Sequence, residues 1–437
     1  MRGEEICRIV EGRLLGTPSA VKAFQFDSRQ VAQGELFIPL KGRRDGHAFI
    51  PDAFKRGAVG ALTEFGGAPP KGKFLIKVKD TLEAFKKIAS HKRGLFRGTV
   101  VGVTGSVGKS TTKELLHHLF SPFLKTYRNL KSFNNEIGLT YTLSNLPLDS
   151  SLYIQEVGTN SPGEIALLRE LLKPQIAVIT AVAVAHAQGL KNLESIREEK
   201  LSLTEGADVA LLPHDLKNYS RASRALTFGF KEGDVHLSYL NPSPFGSEFS
   251  VKAFGSELHF KTPIPGRSVV NATLIAVALA HLLSLPLKEL PELLASYTPP
   301  EGRLRVESYG STVLIDDSYN ANPASVKNAL EVLSLFSGQR VAVLGQMLEL
   351  GELSAQEHRK VGELLNSLGI DVLVAYGPDT YEAYRVFKGE KFYFEEREEL
   401  LSFFKELPLD GKAILVKGSR GNRLEEVSQI LRERLKS

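Results

Sequence analysis

The sequence predicts an α/β protein of three domains, and two observations lead to that fold class. From about residue 97 onward, short apolar runs alternate with helical runs, which is the pattern of a mostly parallel sheet covered by helices. A Pro-Pro pair at 299–300, followed by "EGRLR", then marks a linker between two such stretches. At 437 residues the chain is long enough for two or three domains that each bury a core.

Residues 1–96 are predicted to form a small N-terminal α/β domain. Short strands and turns alternate there, with helical runs near 50–56 and over 82–96. The single cysteine of the chain, Cys7, excludes an internal disulfide framework and fits a reducing compartment. Acidic residues stand in the first 12 positions where a signal peptide needs an apolar core, so we expect a cytoplasmic protein.

The charge distribution gives no specific sign of nucleic-acid binding, and the apolar segments give none of a membrane span. The formal charge of +5 is spread among carboxylates without a dense basic run, so it indicates small phosphorylated ligands as readily as nucleic acid. The longest apolar segment, residues 269–287, contains Asn271, Thr273, His281 and Ser284. It is therefore predicted to be a buried helix and not a membrane span.

Residues 97–300 are predicted to be a central parallel-sheet domain that opens with the stretch "VGVTGSVGKSTTKELL". The strict nucleotide-loop pattern fails because Val103 stands where it requires glycine. A strand over 99–103 and a helix from Lys109 nevertheless flank a glycine-rich turn, whose free amides and lysine suit an anion. We therefore predict that ATP or a relative binds here, with Ser110 or Thr111 available for magnesium. The predicted loop residues are Thr104, Gly105, Ser106, Val107, Gly108, Lys109, Ser110 and Thr111.

Two residues further along this domain are candidates at the carboxyl ends of strands, where ligands bind in parallel sheets. Glu156 ends the strand "LYIQEV" and could hold magnesium, or be a solvated strand end. His186 follows another apolar strand, where a metal, phosphate or structural role is open. From its surroundings alone, Lys200 is expected to be an exposed lysine paired with a glutamate. The later stretch 226–262 alternates with period two and predicts antiparallel hairpins.

Residues 301–437 are predicted to form a doubly wound C-terminal domain with the strands "STVLID", "RVAVLG", "DVLVAYG" and "AILVKG". Two of its strands are followed by clusters of polar side chains. "DDSYNANP" is either a ligand site or a turn, and "VKGSR", with Lys417, Ser419 and Arg420, is an anion clamp or a basic helix entry. In the central domain, "SFNNEIG" similarly offers Asn134 and Asn135 for a ligand or for a helix cap.

Together these motifs carry a resemblance that covers nearly the whole chain. In order they are "TGSVGKSTTK", "SFNNEIG", "QEVGTNSPGEI", "AHAQGL", "VVNATLIAVALA", "GRLRV", "DDSYNANPASV", "GQMLELGELS" and "VKGSRGNRLEEV". The chain resembles the Mur ligases of peptidoglycan synthesis, which use a shortened loop of this kind for ATP. The resemblance implies a monomeric enzyme that uses ATP and Mg²⁺ to join D-alanyl-D-alanine to UDP-N-acetylmuramoyl-tripeptide through an acyl phosphate.

The resemblance also implies roles for individual residues. Lys109 and Arg303 would neutralise phosphate charge, Ser110 and Glu156 would hold one magnesium ion, and His186 and a carbamylated Lys200 would serve a second. Carbamylation turns the ammonium into a carboxylate, so the resemblance replaces the exposed ion pair expected for Lys200. The remaining implied contacts are Asn271 and Asp317 with ATP, Ser28 and Arg29 with uridine diphosphate, Asn134 and Asn135 with the peptide precursor, and Asn320 and Asn322 with the dipeptide.

Three positions depart from the family pattern: Ala181 replaces a frequent asparagine, Gln188 a frequent glutamate and Gln346 a frequent aspartate. Three alternatives also stay open, namely another Mur-type ligase, a ligase like folylpolyglutamate synthase, and a non-catalytic nucleotide-binding switch. The "Asp-Asn-Pro-Arg" signature expected of the ligase that adds the third peptide residue is absent from the sequence. Both meso-diaminopimelate and L-lysine fit as that third residue.

Overall fold

The structure is a computed structural model that describes residues 1–130, 132–183 and 192–436. It contains two compact units. The first unit comprises Met1–Gly102, Leu124–Val157 and Leu167–Pro174, and the second comprises Val103–Phe123, Gly158–Ala166 and Gln175–Ser437. None of the helices in the described ranges is long and apolar enough to cross a membrane.

The first sheet lies within the first unit. Its elements are α1 (Gly3–Ile9), β1 (Arg13–Gly16), β2 (Phe24–Gln25), β3 (Leu36–Phe37), α2 (Ile50–Lys55), β4 (Gly60–Thr63), β5 (Phe74–Lys77) and α3 (Thr81–Leu95). The strand order is β1-β5-β4-β3-β2, with β1 antiparallel to β5 and the other neighbours parallel. Helix α3 begins where Asp80 accepts the Glu83 amide at 2.8 Å, and it buries Phe85 and Ile88 against Phe74. Both helices predicted for this region are confirmed.

The middle stretch supplies the phosphate loop. Its elements are β6 (Thr99–Thr104), α4 (Lys109–Phe120), β7 (Thr126–Arg128), α5 (Glu136–Ser144), β8 (Leu152–Glu156), α6 (Glu164–Leu172), β9 (Ile176–Ile179), α7 (Leu193–Leu201), β10 (Val209–Pro213), β11 (Arg224–Gly229), β12 (Val235–Ser243), β13 (Gly246–Ala253), β14 (Ser256–Thr262), α8 (Arg267–Leu282) and α9 (Leu290–Ala295). In the second unit, β9 to β12 are parallel neighbours and β12, β13 and β14 are antiparallel. The buried α8 is thus confirmed. Of the hairpins predicted over 226–262, those of β12, β13 and β14 are confirmed, but β11 is parallel to β12, so the prediction is wrong at the start of the stretch.

The last sheet also lies in the second unit. Its elements are β15 (Arg305–Tyr309), β16 (Thr312–Asp317), α10 (Pro323–Ser334), β17 (Gln339–Gly345), α11 (Ser354–Ser367), β18 (Val372–Tyr376), α12 (Tyr381–Val386), β19 (Glu390–Phe394), α13 (Arg397–Glu406), β20 (Lys412–Lys417) and α14 (Glu425–Lys436). The strand order is β15-β16-β20-β17-β18-β19, and β15 alone among these strands is antiparallel to its neighbour.

Helices cover both faces of this last sheet, as a doubly wound domain requires. Neighbouring residues of β16 show it, because Ile315 packs in the core under α10 and α11 whereas Leu314 packs in the core under α13 and α14. The four predicted strands are present. The edge strands β15 and β19 were not predicted, because most of their side chains are only half-buried and give no strong apolar pattern.

Candidate active site

The turn between β6 and α4 forms a phosphate loop, and at two positions its backbone conformation requires glycine. Gly105 has a φ of +151° and Gly108 a φ of +82°. Residues that carry a side chain rarely adopt these backbone conformations. A Cβ atom on Gly105 would also lie 2.0 Å from Thr180 Oγ1. The loop therefore closes tightly on the end of β9, and α4 begins directly after it, where the positive end of the helix dipole favours an anion.

Residues after β9 hold this loop from behind. Ser106 donates its amide to Ala181 O at 2.9 Å and its hydroxyl to Ala183 O at 2.8 Å. Thr180 Oγ1 donates to Val107 O at 2.5 Å, and Asn271 Nδ2 donates to Thr180 O at 3.1 Å. Because Ala181 serves through its backbone, this contact does not need the asparagine that the family often has. Asn271 thus supports the loop indirectly, through Thr180.

Lys109 stands at the start of α4, where a mobile positive charge adds to the helix dipole. Its Nζ atom donates to Gly105 O at 2.7 Å, so the side chain curls back across the loop. Ser110 and Thr111 follow in the first turn and are half-buried. The loop thus brings a cation, two hydroxyl groups and several amides to one place.

Two side chains of the last domain contact the same loop within the second unit. Arg303 donates to Ser110 Oγ at 2.8 Å, and its guanidinium group lies 3.9 Å from the centre of the Tyr319 ring. Asn322 Nδ2 donates to Ser106 O at 3.0 Å. Both predicted residues therefore reach the phosphate loop, although Asn322 was assigned to the dipeptide.

Asp317 lies at the end of β16 and pairs with Lys417 at the end of β20. Lys417 Nζ is 2.5 Å from Asp317 Oδ2 and also donates to Asn320 O at 2.9 Å. Burial raises the pKa of Asp317, while the Lys417 charge opposes that shift. Asp317 also accepts the Leu304 amide at 3.0 Å, next to Arg303. This pair fixes both the "DDSYNANP" loop and the linker.

The C-terminal helix α14 anchors the same loop through the preceding residue. Asp316 is 2% exposed and accepts the Ser428 hydroxyl at 2.9 Å and the Arg432 guanidinium at 2.6 Å. Arg432 also forms a two-pronged pair with Glu307 of β15, at 2.8 and 3.0 Å to Oε1. The ligand-side loop after β16 is thus tied to the opposite end of the chain.

Lys200 was expected from its surroundings to be exposed and paired, and that prediction is wrong. Its side chain is fully buried, and Nζ makes no hydrogen bond with any part of the chain that the structure describes. The neighbouring carboxylate, Glu199, is directed elsewhere, to residues at the start of α6. Burial, and after it the charge of Lys109, lowers the pKa of Lys200 well below its usual value.

In the first unit, Glu156 ends β8 and is 2% exposed. Asn134 Nδ2 donates to Glu156 Oε1 at 2.9 Å, and the Glu156 amide donates to Asn129 Oδ1 at 2.8 Å. Glu156 is thus a held carboxylate and not a solvated strand end. Asn135 caps α5 by accepting the Gly138 amide at 2.9 Å, which is the alternative that the sequence left open.

Ser28 and Arg29 line a cleft of about 930 Å³ in the first unit. Further basic side chains around it are Lys41, Arg44, Lys55 and Arg56. Arg29 binds Asp27 with two prongs, at 2.9 and 2.8 Å, and lowers the pKa of Asp27 to about 2. An excess of cations in a cleft of this size suits a phosphorylated ligand.

The other predicted residues are placed as follows. Asn320 accepts the amide of its neighbour Ala321 at 2.9 Å. The backbone amide of Gln346 donates to Asn422 Oδ1, and its carbonyl accepts from Asn422 Nδ2. His186 and Gln188 lie outside the described residues. Within the described ranges, no three His, Cys, Asp or Glu side chains group as a metal site.

Sequence reasoning missed Thr180, Tyr319, Glu199 and Asn129. Thr180 directly follows a buried strand, so the rule that found Glu156 could have found it. Tyr319 lies within the "DDSYNANP" stretch, but nothing local marks Tyr319, Glu199 or Asn129 as a contact residue.

Comparison with known proteins relates this geometry to a family. The Mur ligase middle domain matches residues 103–280, and the Mur ligase, glutamate ligase domain matches residues 302–420. A Bacillus subtilis protein named UDP-N-acetylmuramoyl-tripeptide–D-alanyl-D-alanine ligase is 31% identical over 98% of this chain and 98% of its own. The chain belongs to the Mur ligase family.

Solved structures extend the likeness of this Mur ligase to its fold. MurF from Acinetobacter baumannii is 26% identical, with a TM-score of 0.88 over 99% of this chain and 98% of that one. MurF from Thermotoga maritima, solved in complex with ADP, is 28% identical, with a TM-score of 0.84 over 95% and 98%. The predicted three-domain α/β fold class is therefore confirmed, and this Mur ligase uses ATP.

Proposed function

We propose that this Mur ligase joins D-alanyl-D-alanine to UDP-N-acetylmuramoyl-tripeptide at the expense of ATP. The observation that carries the proposal is the contact of Arg303 and Asn322 with the phosphate loop. A nucleotide switch needs only the loop, whereas a ligase must bring acceptor and donor groups to the γ-phosphate. The nearly full-length relative that bears this substrate in its name supports the choice of substrates.

The first step makes an acyl phosphate. A carboxylate oxygen at the end of the tripeptide attacks the γ-phosphorus of ATP, the bond from that phosphorus to the β,γ-bridging oxygen breaks, and ADP leaves. Two anions must approach each other for this step, so positive charge has to be fixed around them. Lys109 and Arg303 supply that charge, and the first amides of α4 hold the transferred group.

The second step makes the amide. The amine of D-alanyl-D-alanine attacks the acyl carbon, the bond from that carbon to the bridging oxygen breaks, and inorganic phosphate leaves as the amine loses a proton. We assign Asn320 to the dipeptide, and Asn322 to the dipeptide together with its contact to the loop. The cation Lys417, held by Asp317, keeps the loop that carries both asparagines next to the reacting groups.

Magnesium is part of the proposal, because a hydroxyl and a carboxylate offer the oxygen ligands that it prefers. We assign Ser110 and Glu156 to one ion, and His186 with Lys200 to a second. Burial, and after it the charge of Lys109, lowers the pKa of Lys200 and so favours its neutral amine form, and Nζ has no hydrogen-bond partner among the described residues. Such an amine adds CO₂ with loss of a proton and becomes an anionic carbamate that suits Mg²⁺. When bound, Mg²⁺ would neutralise phosphate oxygens.

The remaining assignments follow the domains. We propose that residues 1–96 bind the uridine diphosphate end of the precursor, with Ser28 and Arg29 in the basic cleft. Residues 97–300 bind ATP, with Asn271 beside it. Residues 301–437 contribute Asp317 and Arg303 to the ATP site and also contact the dipeptide. Asn134 and Asn135 are assigned to the peptide precursor. We also propose that the enzyme acts as a monomer in the cytoplasm.

An isotope experiment tests the acyl phosphate directly. Tripeptide precursor labelled with ¹⁸O in its terminal carboxylate should transfer one ¹⁸O atom to inorganic phosphate in each turnover with D-alanyl-D-alanine. Unlabelled phosphate, formed at the rate of ligation, would mean that water attacks ATP and would contradict the proposed step.

A further inference from the structure

Glu199 is a buried carboxylate that accepts hydrogen bonds from the segment before α6 and from the first turn of that helix. It is 7% exposed. Its oxygens accept the Gly163 amide at 2.7 Å, the Ile165 amide at 2.8 Å and the Thr159 hydroxyl at 3.1 Å. A carboxylate that accepts amides at the first turn of a helix is stabilised by the helix dipole as well as by the hydrogen bonds.

This anchoring sets the position of the next residue. Lys200 follows Glu199 directly on α7, and its Nζ atom has no hydrogen-bond partner among the described residues. The segment that Glu199 grips, residues 159–165, begins three residues after Glu156 in the chain. The Glu199 carboxylate therefore ties α7, which carries Lys200, to the segment that follows Glu156 in the chain. Lys200 and Glu156 are both proposed magnesium ligands.

We propose that Glu199 is a positioning residue that fixes α7 so that Lys200 is held buried and free to be carbamylated. The inference rests on the proposed role of Lys200, and it adds a residue that does not itself touch substrate or metal. Without Glu199, α7 loses three hydrogen bonds to residues 159–165, and Lys200 gains freedom to turn toward solvent.

Two readouts on the full chain test this inference. The first is the carbamate carbon signal by NMR after incubation with ¹³C-bicarbonate, with Lys200→Ala identifying the signal of Lys200. The second is labelling of Lys200 by an amine-reactive reagent, read by peptide mass spectrometry. Glu198→Ala is the matched control, because Glu198 lies on the same helix but pairs at the surface with Arg221.

In Glu199→Ala we expect the carbamate occupancy to fall, and the labelling rate of Lys200 to rise, by about tenfold each, as the loss of buried hydrogen bonds implies. Glu199→Gln should show a smaller fall in carbamate occupancy and a smaller rise in labelling rate, because its side-chain oxygen still accepts one backbone amide. This variant replaces Glu199→Ala if the alanine variant does not fold. Glu198→Ala should match the parent in both.

The outcomes separate this inference from the function on which it rests. Parent-like carbamate and labelling in both Glu199 variants would overturn the positioning role and leave the proposed function intact. Absence of the carbamate from the parent protein would remove the proposed metal role of Lys200, and labelling would then decide Glu199 alone: a rise in the variant supports it and no rise refutes it.

Discussion

Gly105→Ala is the substitution for which the structure gives the most definite expectation. The φ of +151° at Gly105 belongs to a region that is almost exclusive to glycine. The added Cβ would lie 2.0 Å from Thr180 Oγ1, whereas a Cβ on Gly108 has no atom nearer than 3.9 Å. Gly108→Ala is therefore a matched control that tests backbone conformation without the steric contact.

The magnitude follows from two contributions. Backbone strain at Gly105 costs about 1–3 kcal/mol of unfolding free energy. Moving Thr180 away breaks the hydrogen bond from its hydroxyl to Val107 O, which costs about 1 kcal/mol more. We therefore expect a loss of about 2–4 kcal/mol for Gly105→Ala and of about 1 kcal/mol for Gly108→Ala. Because we propose that this loop holds the phosphates, ADP affinity should fall by about 10- to 100-fold in the former.

Urea unfolding and calorimetric titration with ADP measure these effects. Thr180→Ala removes the clashing hydroxyl, so the double variant Gly105→Ala/Thr180→Ala should lose about 1 kcal/mol less than the sum of the single losses. Equal losses for the two glycine variants, with strictly additive behaviour in the double variant, would refute the close packing of the loop on Thr180.

Three further expectations follow. Lys109→Ala should lower turnover by about 100-fold or more, the scale for removing one charge contact in a transition state; a normal rate measured by phosphate release would remove Lys109 from the ATP site. Arg432→Ala leaves Asp316 buried without its cation and should cost about 3 kcal/mol of unfolding free energy, against at most about 0.5 kcal/mol for the exposed Arg385→Ala. Burial lowers the folded-state pKa of His358, so the unfolded state binds more protons once the pH falls below the unfolded pKa of about 6.5. The free energy of unfolding should therefore be constant above that pH and decline below it. Urea unfolding at several pH values should show this decline in the parent protein and not in His358→Gln.

Much of the fold could be predicted because local patterns dictate it. Buried parallel strands such as β6 and β16 are short and apolar, and the glycines of the phosphate loop mark a turn that other residues do not adopt. The edge strands β15 and β19 could not, because their half-buried side chains carry no clear period.

The candidate site was harder to predict, because several of its residues act through partners distant in sequence. Lys200 has the sequence surroundings of a surface lysine, and only the packing of α7 shows that it is buried. Asn134 and Asn135 are adjacent and identical, yet one holds Glu156 and the other caps a helix. Asn322 reaches Ser106, which is 216 residues away, and no local pattern encodes that contact.

The most direct test of the proposed function is a matched turnover experiment with ATP and Mg²⁺. Phosphate release and formation of the UDP-N-acetylmuramoyl-pentapeptide are measured together, first with both substrates and then with either one left out. The proposed ligase should release one phosphate for each amide bond and should turn over only when the UDP-linked tripeptide and D-alanyl-D-alanine are both present. Steady phosphate release that is independent of D-alanyl-D-alanine, or no amide product with both substrates at saturation, would contradict it.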